Sequence, residues 1–184
     1  METLSNAARI LSDLQNIISG IDPQKTQAVL SDIREANRVF VAGAGRSLLM
    51  MRAFAMRLMH LGLTVYVAGE TVTPAIGEGG LLLGGTASGE TATLKVMAEK
   101  TKKAGARLDV LTIYEGSSIA RLADSVLVIP AATNQVECGK TSWQPGGSSF
   151  EQSLLVLLDG MAAALAGQMG IPLSGALGLH ANLE

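Results

Sequence analysis

The stretch GGTASGET, residues 84–91, ends an apolar run and opens onto TATLKVMAEKTKKAG, which has the apolar spacing of an amphipathic helix. Thr86, Ser88 and Thr91 are hydroxyl donors, and Gly85 and Gly89 let a ligand come close to the main chain. Ala87 is small, and Glu90 carries the only charge. The first N–H groups of a helix lack intrahelical partners and carry partial positive charge, so such a loop suits a phosphate monoester. No lysine is present, which sets it apart from the G-x-x-x-x-G-K-[ST] nucleotide loop. Glu90 is expected to turn away from an anion and back-cap the helix. A plain helix cap with no ligand is the competing reading. A second loop of small residues, GAGRS (43–47), follows the apolar run RVFVA. Arg46 offers a fixed charge and Ser47 a donor to a sugar oxygen. Gly43 and Gly45 nearly complete G-x-G-x-x-G, and Glu70 lies where a ribose-binding acid would stand. Leu48 occupies the place of the third glycine, where it would obstruct close packing of helix on sheet, and this argues against a dinucleotide.

The candidates for acid–base chemistry are few. Ser148 and Glu151 have the S-x-x-E spacing of a capping box. Alternatively, Glu151 is a general base carried on the first turn of the last helix, suited to a proton alpha to a carbonyl. His60 lies thirteen residues beyond Ser47 on one helix, about 20 Å away at ~1.5 Å per residue. It is out of reach of its own loop, though not of a neighbouring subunit's. His180, in the C-terminal tail, is the freer candidate to shuttle a proton between two oxygens. For both histidines a packing or surface role is the other reading. No G-x-S-x-G elbow is present. One cysteine and two histidines make no zinc-ligand cluster, so no metal is expected.

These residues need a scaffold. Residues 3–20 and 23–36 read as helices, the second entered through Asp22 and Pro23. Apolar strands are expected at 38–45, 63–70, 81–86, 107–114 and 125–131. Between them lie helices from Ser47, at 89–104 and at 118–124, and a long helix at 149–168 follows. Continuous Val/Ile/Leu strands alternating with helices mean a parallel sheet covered on both faces. The expected fold is therefore α/β, three-layer and flavodoxin-like, with five strands in the order 2-1-3-4-5. That order places GAGRS and GGTASGET side by side at the switch point. Residues 132–149 are polar and glycine-rich without a period, the mark of a functional loop. No internal repeat or dividing linker is visible, so residues 1–184 are expected to form one domain.

The chain of 184 residues is 48% hydrophobic with a mean hydropathy of +0.34. No apolar run approaches the ~20 residues of a membrane span; LLVLLDGMAAALAG is broken by Asp159. METLSNAARILSDLQ has no basic segment and does not read as a signal peptide. The lone Cys138 fits a reducing compartment, and a net charge of −2 gives no case for nucleic acid. A cytoplasmic protein with no membrane or nucleic-acid partner is expected. Apolar excess without a membrane signal points to surface buried between subunits. The helix SLLMMRAFAMRLMHLG, apolar almost all round, supports a homo-oligomer, an interior helix of a monomer being the other reading.

GAGRS with RAFAMRLMHLG, VYVAGETVTPAIGEGG, TASGET and the ending HANLE resemble the 6-phospho-3-hexuloisomerases, a branch of the sugar isomerase (SIS) domain family. TASGET is the SIS signature. The GETVTP block and HANLE are more specific to the hexuloisomerases. The resemblance implies a cofactor-free interconversion of arabino-3-hexulose 6-phosphate and fructose 6-phosphate in formaldehyde fixation by the ribulose monophosphate pathway. It also implies a soluble tetramer with sites near subunit contacts. By motif, Ser47 and Thr86 to Thr91 would hold the phosphosugar, and Glu151 would be the proton acceptor. The family loop usually begins Ser-Gly, and Ala87 stands here in place of a glycine that tolerates positive φ. Another phosphosugar isomerase and a non-catalytic sugar-phosphate sensor are the competing readings.

Overall fold

The computed structural model describes residues 2–132, 142–172, 179, 180 and 182. Five parallel strands, β1 (Arg38–Gly43), β2 (Val65–Val67), β3 (Gly80–Gly85), β4 (Arg107–Thr112) and β5 (Ser125–Val128), form one sheet in the order β2-β1-β3-β4-β5. This is the expected α/β order. The helices are α1 (Glu2–Ser19), α2 (Pro23–Glu35), α3 (Gly45–His60), α4 (Ala92–Lys103) and α5 (Ser149–Gln168). Alternation along the strands divides the core in two. Val39, Val41, Leu81, Leu83 and Leu111 face α2, α3 and α5, while Phe40, Ala42, Leu82, Leu108 and Val110 face α4.

Several boundaries differ from expectation, each for a local reason. The second strand pairs only over Val65–Val67, as an edge strand against β1. The helix expected from 89 begins at Ala92, because Gly89 has φ +65° and cannot join a right-handed helix. The short helix at 118–124 is one 3-10 turn, Ala120–Leu122. Asp22 caps α2 as expected, its carboxylate accepting from the N–H groups of Gln24 and Lys25. Of the expected loop at 132–149, residues 133–141 lie outside the described residues, Cys138 among them. The rest contains a 3-10 turn at Pro145–Gly147. By length and composition α5 is apolar enough to cross a membrane, despite Asp159. Here its Phe150, Leu154, Leu158, Met161 and Leu165 are buried in the core.

At the amino ends of the strands, β4 carries a buried acid. Asp109 has no solvent exposure, and the Arg107 Nε–H donates to it at 3.2 Å while Arg107 also pairs with Asp32. Burial, and then the adjacent Asp32 carboxylate, push the Asp109 carboxyl up from its ordinary 3.8 to about 8, against the pull of Arg107. The folded protein thus holds this proton where the unfolded chain has released it. The stability that Asp109 contributes is full below its unfolded pKa and is lost as pH rises through about 8. Unfolding free energy measured in urea should fall between pH 5 and 8, by at most about 1.4 kcal/mol per pH unit. Asp109→Asn should flatten that slope, and an unchanged slope would assign it to another group.

Candidate active site

β1 and β3 end level with each other, with Gly43 paired to Gly85, so the two small-residue loops leave the sheet side by side. They bound a cleft of about 290 Å³ lined by Ala44, Gly45, Ser47, Gly85, Thr86, Ala87, Ser88, Thr91 and Glu151. Two glycines make the convergence possible. A Cβ on Gly43 would lie 2.8 Å from the Leu48 nitrogen, and one on Gly85 would lie 2.7 Å from the Met51 sulfur and 3.2 Å from Leu154. The close approach of helix to strand that seemed to need a third glycine is therefore made by Gly43 against the Leu48 main chain.

Inside residues 86–91 the hydroxyls fold the loop on itself. Thr86 Oγ1 accepts from the Gly89 N–H at 3.2 Å, and Ser88 Oγ accepts from the Glu90 N–H at 3.2 Å. Each hydroxyl keeps its own proton to donate. Ala87 needs no left-handed backbone, since positive φ among the described residues is confined to glycines. Gly89 supplies it. Its carbonyl receives the Ile119 N–H at 3.1 Å, and the Ala87 carbonyl receives the Thr112 hydroxyl at 3.1 Å. Thr112 and Ser117, both fully buried beneath the loop, were not legible as site residues; they carry only ordinary strand-end and turn chemistry in the sequence.

Three helices begin at this cleft: α3 at Gly45, α4 after Thr91, and α5 two residues before Glu151. Their N-cap residues, Ala44, Thr91 and Ser148, make no side-chain capping bond, whereas α2 has a side-chain cap. Helix ends without a side-chain cap offer main-chain N–H groups and partial positive charge to an anion without a basic side chain.

The capping-box reading of Glu151 does not hold. Ser148 has helical φ and ψ of −49° and −5°, and its hydroxyl donates to the Pro145 carbonyl instead. Glu151 is free of that duty and lines the cleft, with its Oε2 buried and without a hydrogen-bond partner among the described residues. Glu90 does turn away, but to cap a different segment: it accepts from the Ser118 N–H at 2.7 Å, and that bond holds its carboxyl below the usual range. Arg46 is exposed and is not among the cleft-lining residues. His180 does not meet Glu151 of its own chain. It stacks on His60 with ring centroids 5.2 Å apart, at the far end of α3 from Ser47. Of the ending HANLE, Ala181, Leu183 and Glu184 lie outside the described residues.

The SIS domain model matches residues 32–155. A 3-hexulose-6-phosphate isomerase of Mycobacterium gastri is 42% identical over 98% of this chain and 90% of its own. One of Bacillus subtilis is 37% identical over the whole of both chains. The crystal structure of a hypothetical protein from Methanococcus jannaschii, from which a 3-hexulose-6-phosphate isomerase function was inferred, superposes with a TM-score of 0.84 at 27% identity over the whole of both chains. On the match over residues 32–155 and the full-length likeness to these relatives, the chain belongs to the SIS domain family.

Proposed function

We propose that this protein is a 3-hexulose-6-phosphate isomerase that interconverts arabino-3-hexulose 6-phosphate and fructose 6-phosphate by proton transfer. The observation that carries the reading is the cleft itself. Hydroxyls and three open helix ends suit a dianionic phosphate ester, and the Glu151 carboxylate, whose Oε2 has no partner among the described residues, lines the same space. Full-length likeness to the named isomerases supports the choice of substrate.

The chemistry balances without a cofactor. Moving the carbonyl from C3 to C2 removes the C2 proton, passes through a 2,3-enediolate and delivers a proton to C3. The O2 proton leaves as O3 gains one. Glu151 takes and returns the carbon-bound proton on one face. Ser47, Thr86, Ser88 and Thr91 hold the phosphate and sugar, with donors to the developing enediolate oxygen stabilising the transition state. Glu90 and Gly89 shape the loop rather than touch the ester. Such a reaction serves formaldehyde fixation by the ribulose monophosphate pathway, after the condensation that makes the 3-hexulose phosphate.

The group that moves the oxygen-bound proton is assigned to a neighbouring copy. α3 exposes Leu49 and Met56 at 55% and 48%, and α5 exposes Val156 at 48%, apolar surface that suits a second copy of the chain. We read the assembly as a tetramer of single-domain subunits in which the His60–His180 pair of one copy approaches the cleft of another.

Incubation with fructose 6-phosphate in deuterated water tests the reaction. Deuterium entering the sugar without added metal or nucleotide, with a 3-hexulose 6-phosphate as product, is expected. Absence of both exchange and an isomerised product would exclude proton-transfer catalysis and favour a sugar-phosphate sensor. A different product would assign another phosphosugar isomerase. Ser88→Ala should raise KM for the phosphosugar about tenfold or more, the worth of one hydrogen bond to a charged group, with a smaller change in kcat. An unchanged KM would remove Ser88 from the phosphate site.

A further inference from the structure

A carboxylate oxygen with no hydrogen-bond partner is not aimed by anything that touches it. The direction of Glu151 is set by the first turn of α5, and that turn is fastened on two sides by side chains outside the cleft. On one side Ser149 Oγ donates to the Ala132 carbonyl at 2.8 Å and accepts from the Ala132 N–H at 3.1 Å, tying the turn to the chain leaving β5. On the other side the Gln152 amide exchanges two hydrogen bonds with the Gln144 amide, at 3.0 and 2.9 Å. Gln144 is buried at 6% exposure, so the pair is largely shielded from competing water.

Gln144 is itself held from outside α5. The neighbouring Trp143 donates its indole N–H to Asp13 of α1 at 2.7 Å, and the Arg9 guanidinium of α1 lies 4.2 Å from the indole ring centroid. A chain of contacts therefore runs from α1 through Trp143 and Gln144 to Gln152, the residue next to Glu151. None of these side chains lines the cleft.

We propose that the Gln144–Gln152 amide pair is a positioning device that aims the Glu151 carboxylate into the cleft, with Trp143 anchoring it to α1. This rests on the reading of Glu151 as the base. It extends that reading to residues that touch no substrate. A displacement of about 1 Å at a reacting group can cost ~100-fold in rate, so an amide pair at this distance from the chemistry has leverage on kcat. The phosphate donors sit on the loops after β1 and β3 and are independent of it.

The test is Gln152→Leu, with Gln144→Glu as the milder variant because it keeps an acceptor for the Gln152 amide. Gln152→Leu is expected to lower kcat for exchange and isomerisation at least tenfold with KM within twofold, and Gln144→Glu to lower it less. In a crystal structure of Gln152→Leu, Glu151 should leave its cleft-facing position or occupy more than one rotamer. If Gln152→Leu does not fold, the paired variant Gln144→Leu with Gln152→Leu, which leaves no buried amide unpaired, is measured in the same two ways. Glu151 unmoved in the crystal overturns the proposal, and so does a kcat within twofold of the parent or a kcat loss matched by KM. Should the unmodified protein show neither exchange nor isomerised product, the isomerase reading fails, and the position of Glu151 in the variant crystal alone decides this one.

Discussion

Glu151→Gln should reduce kcat for isomerisation by roughly a thousandfold, within the ~10²–10⁴ range of general acid–base contributions, while KM changes no more than a few-fold. The carboxamide has the shape of the carboxylate but cannot accept the C2 proton. The phosphate donors stand on other elements, so ground-state binding survives. The exchange of Glu151 for glutamine also breaks no hydrogen bond at Oε2, which has none among the described residues. Loss of a partly buried charge leaves the fold as stable as before or slightly more so. That separates the prediction from trivial misfolding: thermal unfolding should be unchanged while deuterium wash-in disappears. A variant that turns over at near the parent rate would remove Glu151 from the mechanism and leave the cleft as a binding site.

The sheet order could be read from the sequence because parallel strands buried on both faces must be continuous apolar runs, and VFVA, LLL and VLVI are such runs. The two glycine loops could be read because small residues at strand ends have few other uses. What the sequence concealed was set by tertiary contact. Ser148 and Glu151 have the spacing of a capping box, but the chain enters α5 through Gly146 at φ +70° and Ser148 in helical geometry, and spacing alone does not encode that entry. The Gln144–Gln152 pair has no periodicity to betray it. His180 looked free to travel because a tail has no pattern; its stacking on His60 joins residues 120 positions apart. The missing third glycine misled in a different way. The need for close packing was real, but Gly43 met it from the strand side.

Gly89→Ala should damage both stability and binding, and the reason lies outside the cleft. A Cβ at residue 89 would sit 2.0 Å from Ser117 Oγ and 2.4 Å from Ser117 Cβ. Ser117 cannot retreat: it is fully buried, its N–H donates to the Tyr114 carbonyl at 3.2 Å, and its Oγ accepts from the Ala120 N–H at 3.3 Å. The loop must move instead, pulling Gly89 N–H from Thr86 and Gly89 O from Ile119. The φ of +65° adds about 1–2 kcal/mol for an L-residue in left-handed geometry, and overpacking adds about 1–3 kcal/mol more. At ~2–4 °C per kcal/mol for a chain of this size, Tm should fall by several degrees. KM for the phosphosugar should rise more than tenfold, because Thr86 and Ser88 no longer present their hydroxyls together. A second substitution divides the two causes. Ser117→Gly in the Gly89→Ala background clears both close contacts but leaves φ positive, so it should recover the packing share of the loss, less the Ser117–Ala120 hydrogen bond it removes, and not the backbone share. Ser117→Ala in the same background keeps the Cβ at 2.4 Å and should recover little. If the single variant binds and melts like the parent, the left-handed turn at residue 89 is not what holds the hydroxyls in place.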